Sequence, residues 1–391
     1  METSINNIIE HLFIIFGSDH YNTLGALRSV GEFGGKADLI LHPKYSKTPH
    51  LVTNSKYSTE SRIHIVNDVQ EGFDLLIRCY SNIQPKPFLI TCDDWCSCYV
   101  DEHLDLLKNK FYYFGGSKAR AIGHYTNKYN ASSLCHKYGI NIPNIVVVQK
   151  GDINIDIEYP IITKSISSTV GGWKGDVYIC HSKQDLLNAY KFIKSEQIML
   201  SQFITKKYEL NIAGFSINGG GQAYMPFKMI SLRAPEGSYG HYIQIEPFDD
   251  IFLKNALKKV IVETSYSGIF SVDMLVDKDN KSYFLEINFR HSAFSYACNH
   301  GGINLIKEWA LATINGYVDE NMLNKKRLTH SYKAIAEAND LLQYVFSKKI
   351  CIVKWFKDVL CADVHFYYNR TDKKPFFASI IHYIRNKHKD A

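Results

Sequence analysis

The chain has no apolar run that could cross a membrane: the longest, Leu12 to Phe16 and Ile350 to Val353, fall far short of the roughly 20 residues a spanning helix needs. Its opening stretch, METSINNIIEHLF, lacks the basic start and small-residue cleavage site of a secretory signal, so a cytoplasmic location is the expectation. No repeat or low-complexity segment is present. There is no block of like charge either: the net +6 is spread along the chain, which tolerates anionic ligands without pointing to nucleic acid. The nine cysteines are odd in number and scattered, as suits reduced thiols. Cys92, Cys96 and Cys98 lie close together with His103 nearby, but no second ligand pair accompanies them, so a thiol cluster is expected rather than zinc. No Ser–His–Asp or Cys–His arrangement suggests a protein nucleophile.

What is present is an ordinary globular composition, 46% hydrophobic and 21% charged over 391 residues, long enough for about two or three domains. Leu12 to Phe16 reads as a strand, Gly17 to Asp19 as a turn, and Tyr21 to Phe33 as a helix. Such an edge can seat an anion or carboxylate at a helix start. Strands and helices go on alternating over residues 1–115, which argues an open parallel α/β sheet. A helix is expected from about Lys118 to Tyr138, stopping at Gly139. From there to Phe203 the pattern is strand, glycine-rich loop, strand, helix, strand. Tyr208 to Ile217, Ala223 to Ile230, Ser267 to Val276 and Ser282 to Ile287 read as strands of a mostly antiparallel sheet, with helices at Phe252 to Tyr266 and Ile303 to Asn315. The expected division is therefore 1–115, then 116–328 with a smaller subdomain at about 140–200, then a basic, aromatic region over 329–391.

Three constellations carry chemistry. The tract Ser271 to Asn288 reads as a β-hairpin turning at Lys278 to Lys281. Asp273 stands on its first strand, while Glu286 and Asn288 share one face of the second because strand side chains alternate. Two carboxylates and an amide oxygen converging this way suit Mg²⁺ bridging phosphates; the alternative is a solvated acidic face. Lys164 ends the apolar run Tyr159-Pro-Ile-Ile-Thr-Lys164, and Ser165 to Gly175 follows as a Ser/Thr/Gly-rich loop. This could be a phosphate-binding loop with a lysine or an ordinary mobile hairpin, but it is not a P-loop, because the lysine precedes the glycines. Met199 to Ile204 is an apolar strand becoming a linker, able to offer backbone groups to an adenine edge, with Glu209 placed to take ribose hydroxyls. Arg290 follows the metal-type strand and could hold a phosphoryl group or a substrate carboxylate, or else pair with a neighbouring acid. For His291 a structural role is expected.

Together these residues resemble the ATP-grasp superfamily of carboxylate–amine ligases, over about Lys118 to Leu305. The 13 positions from Asp273 to Glu286 match D-alanine–D-alanine ligase, and Glu286-Ile-Asn288 matches the family's Glu-x-Asn. The resemblance implies an ATP-grasp fold preceded by the open parallel α/β domain. It makes Asp273, Glu286 and Asn288 ligands of Mg²⁺ or Mn²⁺, and Lys128 and Lys164 the two phosphate-binding lysines. It makes Ser168, Thr169, Gly171, Gly172 and Gly175 part of a lid over the phosphates of ATP. Gln202, Phe203 and Ile204 become the adenine linker and Glu209 the ribose carboxylate. Gln202 stands where the family often has glutamate, and Phe289 where many members have proline before Arg290. Lys228 and Arg233 match basic phosphate or substrate contacts and, with Arg290, form the expected catalytic set.

Asp19 to Leu24, Asn288 to Ser292 and Ala362 to Phe366 look most like D-aspartate ligases and related enzymes of envelope or capsule assembly. The activity so implied is amide formation between a small carboxylate and an amine through an acyl phosphate. A bicarbonate-activating carboxylase or carbamoyl-phosphate type, and a non-catalytic nucleotide-binding regulator, are the alternatives. A homodimer is compatible with the pattern, and no nucleic acid partner is expected. The basic, aromatic tracts Lys348 to Lys357 and Arg385 to Lys389 could touch a membrane surface or a lipid-linked acceptor, or form a solvated basic face.

Overall fold

Three sheets follow one another along the chain. The computed structural model describes residues 7–44, 48–167, 169, 171–233 and 239–387. The first sheet holds β1 (Leu12–Ser18), β2 (Lys36–His42), β3 (Ile63–Ile65), β4 (Phe88–Thr91) and β5 (Tyr112–Tyr113), all parallel, in the order β3–β2–β1–β4–β5. Its central strands β1 and β4 are apolar and buried nearly throughout, as a parallel sheet covered on both faces requires. Three principal helices pack on it: α1 (Tyr21–Glu32), α2 (Val69–Tyr80) and α3 (Asp94–Glu102). Each starts at a side-chain cap, His20, Asp68 and Asp93 accepting from backbone N–H groups of the first turn.

The single helix expected from Lys118 to Tyr138 is two, α4 (Ala121–Thr126) and α5 (Lys128–Lys137). The break is at Asn127, whose side chain accepts from the N–H groups of Tyr129 and Asn130 and starts a new helix. Lys128 thereby becomes the first residue of α5. Gly139 ends that helix with a left-handed φ of 79°.

The second sheet is small and antiparallel: β6 (Ile145–Gln149), β7 (Ile161–Ser165), β8 (Ile179–Cys180) and β9 (Gln197–Gln202), ordered β6–β9–β7–β8. With helix α6 (Lys183–Tyr190) it encloses its own core of Ile161, Leu186, Ile198 and Leu200. The third and largest sheet runs β14–β13–β10–β11–β12–β15–β16. Its strands are β10 (Lys206–Ile217), β11 (Gln222–Ser231), β12 (Tyr242–Pro247), β13 (Gly268–Asp277), β14 (Ser282–Asn288), β15 (Tyr332–Ile335) and β16 (Val364–His365). All its pairings are antiparallel except β15 with β16. Helices α7 (Ile251–Thr264) and α8 (Leu305–Asn315) cover its back, and buried Trp309 of α8 meets Phe88 and Phe114 edge-on, so the first and third sheets share one core.

The segment after residue 328 does not stand apart. β15 pairs with β12, and β16 with β15, completing the large sheet. Two further helices, α9 (Ile352–Leu360) and α10 (Lys374–Lys387), follow. These strands are two to four residues long, too short for period-2 alternation to register in the sequence.

Candidate active site

A cavity of about 730 Å³ opens where the three sheets meet, a size suited to a nucleotide-sized ligand with a small second molecule. Its floor is a row of residues set by register across the large sheet. Met229, Asn211, Asp273 and Glu286 stand opposite one another on β11, β10, β13 and β14. All four line the cavity, because directly opposed residues share a face. Asn288, two residues past Glu286, lines it as well and donates from Nδ2 to Asp273 Oδ2 at 2.9 Å. Asn211 Nδ2 donates to Asp273 Oδ1 at 2.5 Å.

This row fits a divalent cation on its own terms. Burial, and then the facing Glu286 carboxylate, push the Asp273 carboxyl up to about 7. Asn211 Oδ1 is buried with no hydrogen-bond partner among the described residues. Two carboxylates held opposite each other beside an orphaned amide oxygen form a hard-oxygen cluster that a cation would relieve.

The opposite wall carries too much positive charge. Lys164 is the next-to-last residue of β7 and Lys128 begins α5, and both side chains line the cavity with Lys206 from the start of β10. Burial, and then the nearby Lys128, lower the Lys164 ammonium to about 8. Lys128 lies 3.5 Å from Glu286 Oε2, and Lys206 lies 2.7 Å from Glu209 Oε1. An anion between the lysines would relieve this wall as a cation would relieve the floor.

Between these walls runs the linker from β9 to β10. Gln202, Phe203 and Ile204 all line the cavity. The N–H groups of Gln202 and Phe203 donate to Asn144 O and Pro160 O, which ties the linker to the small sheet. Glu209 lines the cavity too, accepting from Gly240 N at 2.7 Å; burial raises its pKa, with Lys206 opposing.

The far end belongs to the first sheet and the C-terminal segment. β1 and β4 are neighbours whose chain connections leave in opposite directions, the crevice where open parallel sheets bind ligands. His20 and Asn22 follow β1 and Asp94 follows β4, and all three line the cavity with Tyr367. Arg290 lines it from the other side. Its Nε donates to Asp94 Oδ1 at 2.6 Å and its Nη2 to Asn288 Oδ1 at 2.8 Å, so the pairing with a neighbouring acid is realised within the cleft. His291 is buried, and burial, then the Arg290 charge, lowers its pKa to about 3.

Two members of the expected catalytic set are not brought here. Lys228 stands opposite Ile212, on the face turned away from Asn211, and pairs with Glu246 at 3.2 Å. Arg233 lies past the end of β11, its guanidinium held by Asp340 and Asp358 and stacked 4.7 Å over the Tyr242 ring. For Lys228 the reason is register, since one step along a strand reverses the face; for Arg233 it is the pairing with Asp340 and Asp358. Nor do Thr169, Gly171, Gly172 and Gly175 line the cavity; Ser168 lies outside the described residues. Buried Asp176 holds the base of that loop, accepting from Gly172 N at 2.8 Å, Lys194 N at 2.7 Å and Ser165 Oγ at 2.9 Å.

Sequence reasoning passed over His20, Asn22, Asp94, Lys206, Asn211 and Tyr367 as individual site residues. Asn211 carried a usable signal, because it lies two residues after Glu209 on the same predicted strand and so shares its face. Asp94 carried none, since it enters the site only through the packing of α3. Among the described residues, His42, Asp93 and Cys96 also bring ligand-type atoms close together. There His42 Nε2 and Asp93 Oδ2 hydrogen-bond each other at 2.7 Å, and Asp93 caps α3.

No family model matches the chain. It is 22% identical over 339 residues to the D-aspartate ligase of Enterococcus faecium, covering 78% of this chain and 77% of that enzyme. It is 23% identical over 264 residues to an N5-carboxyaminoimidazole ribonucleotide synthase of Staphylococcus aureus, covering 64% of this chain and 63% of that one. A Staphylococcus aureus N5-carboxyaminoimidazole synthetase complexed with ADP superposes with a TM-score of 0.62 at 16% identity, over 87% of this chain and 86% of that one. The L-amino acid ligase of Bacillus licheniformis superposes equally well, with a TM-score of 0.62 at 12% identity over 83% and 79%. These superpositions give the chain the ATP-grasp fold, and its sequence relatives, at 22–23% identity, include a D-aspartate ligase and N5-carboxyaminoimidazole ribonucleotide synthases.

Proposed function

We propose that the chain joins a small carboxylate to an amine with ATP, through an acyl phosphate, and that one partner is an amino acid. The observation that carries this reading is the opposed electrostatic frustration of the cavity. Carboxylates that repel on one wall and lysines that repel on the other are relieved together by a cation-bound nucleotide, and by neither ion alone. Asp273, Glu286 and Asn288 would hold Mg²⁺ or Mn²⁺, which would supply positive charge against the negative charge of the phosphates. Lys128 and Lys164 would fix the phosphates, the linker Gln202–Ile204 the adenine, and Glu209 the ribose. Arg290, steadied by Asp94, would orient the second molecule at the end formed by His20, Asn22 and Tyr367.

The amino acid is supported by the relative that acts as a D-aspartate ligase, and the bicarbonate-activating alternative by the N5-carboxyaminoimidazole ribonucleotide synthase relatives. A phosphate-release screen over pairs of amino acids, with product mass measured, separates them. The expected result is release that needs one carboxylate and one amine and yields a product lighter than their sum by one water. Release that depends on bicarbonate would overturn the amino acid reading in favour of the carboxylase.

Lys164 supplies a pH test. Its folded pKa of about 8 lies below the ordinary 10.5, so in the nucleotide-free protein its stability contribution is present above 10.5 and lost as pH falls through about 8. Phosphate contact favours the charged form instead. Nucleotide binding above pH 8 should therefore take up a proton, and affinity should fall as pH rises through that value. Calorimetry in two buffers of different ionisation heat measures the uptake. Wild-type binding without uptake, or a Lys164→Met variant that keeps it, would remove Lys164 from the phosphate site.

A further inference from the structure

Helix α9 is amphipathic in a way its packing does not use up. Its inner face is held by buried Trp355, by Val359 against Ala362, and by Asp358 on Arg233. Its outer face carries Ile352, Phe356 and Leu360, spaced four apart so that they form one line, with Val353 beside them. Leu360 is 83% exposed, Val353 75% and Phe356 55%. A continuous exposed apolar stripe of this kind on a globular protein marks a contact surface. Lys357 borders it, and Lys354, further round the helix where it lines a groove with Arg233 and Asp358, is exposed as well.

The last helix carries a second exposed apolar face. On α10, Phe377, Ile380 and Ile381 are exposed at helical spacing. Exposed Phe346, next to the Leu341–Val345 turn that packs on α9, stacks on Tyr383 of α10 with ring centroids 6.5 Å apart. Exposed Lys348 and Lys349 follow Phe346, and exposed Lys373 and Lys374 open α10. From Leu341 to Lys387 there are nine Lys and Arg against three Asp, and two of those acids, Asp358 and Asp372, turn inward onto Arg233 and Arg28. What faces outward is apolar and cationic.

We infer that this C-terminal face docks on an anionic membrane surface, with α9 lying in the interface, its apolar line in the acyl boundary and its lysines at the headgroups. Charge decides for that occupant over a second copy of the chain. A two-fold self-contact would set the same lysines against one another, whereas acidic headgroups neutralise them. The inference concerns a surface outside the cavity and does not depend on which molecules the enzyme joins.

Flotation of the full chain with phosphatidylcholine vesicles, and with the same vesicles containing phosphatidylglycerol, tests it at low and moderate salt. Binding is expected only with the anionic lipid, weakening as salt screens the lysines. Phe356→Ser with Leu360→Ser should lower binding by at least about tenfold. Lys354→Glu with Lys357→Glu should lower it by roughly thirtyfold or more, from about 1 kcal/mol for each cation lost. The same two-charge reversal at exposed Lys36 and Lys110, outside this face, should leave it unchanged. Wild-type protein that stays unbound at low salt would overturn the proposal. So would an equal loss from the Lys36 and Lys110 control, which would reduce the binding to net charge.

Discussion

Replacing Glu286 by alanine is expected to stop ADP release while leaving the fold intact. Glu286 faces Asp273 across β13 and β14, and with Asn288 it forms the oxygen cluster proposed to hold the metal. A cation in that cluster would neutralise charge on the transferring phosphoryl group, and interactions made in the transition state act mainly on kcat. Loss of one such contact commonly lowers turnover by about 10²–10³-fold, and loss of a metal ligand by at least as much. Stability should change little. The Glu286 side chain is 39% exposed, and its ion partner is Lys128 at 3.5 Å, a contact worth at most about 1 kcal/mol. Two measurements check this independently: ADP release with the substrate pair that supports wild-type turnover, and thermal stabilisation by Mg–ATP, which needs no substrate. Wild type should be stabilised by the nucleotide and the variant much less. Turnover within tenfold of wild type, with full Mg–ATP stabilisation, would sink the metal assignment.

The largest stability effect is expected far from that cluster, at Arg28. This arginine is fully buried on α1, where its Nε donates to Asp372 Oδ2 at 2.9 Å. Its two terminal nitrogens donate to the carbonyls of Phe366 at 2.8 Å, Tyr367 at 2.9 Å and Asp372 at 3.1 Å. Asp372 in turn accepts from Ser55 Oγ at 2.8 Å and Lys56 N at 2.7 Å. One guanidinium thus ties the first sheet's helix to the chain leaving β16. Arg28→Ala would strand a buried carboxylate and several carbonyls, costing about 3–5 kcal/mol. Arg28→Lys should recover only part of this, because an ammonium cannot match the fork-shaped donor set. Urea unfolding measures both. A loss below about 1 kcal/mol for the alanine variant would show that water takes over these acceptors. Because Tyr367 lines the cavity, Arg28→Lys should also raise KM for one substrate more than it lowers kcat.

Much of this site was legible along the chain because its parts are local. Asp273, Glu286 and Asn288 sit on two strands of one hairpin, so strand alternation and a short turn bring them to one face without help from the rest of the fold. Lys164 ends an apolar strand, and Glu209 lies within reach of the linker Gln202–Ile204, again by spacing alone. Lys228 shows where that reasoning ends. The resemblance makes it a phosphate or substrate contact, but the pairing of Ile212 with Lys228 turns it to the other face, and only inter-strand register decides such a question. Arg233 fails differently, since its partners Asp340 and Asp358 lie more than 100 residues away in sequence.

The sequence by itself determined the hairpin that gathers the carboxylates, the lysine near the end of β7 and the alternation that builds the first sheet. All of these follow from side-chain period, turn chemistry and residue type over short spans. Only the tertiary structure decided that Asp94 meets Arg290, that Lys206 joins the lysine wall, and that residues after 328 complete the large sheet. It also decided which apolar residues of α9 face outward, because the 3.6-residue period gives an apolar stripe but not the neighbour it packs on. Contacts between distant segments depend on how the sheets pack, and no local pattern in the chain records that packing.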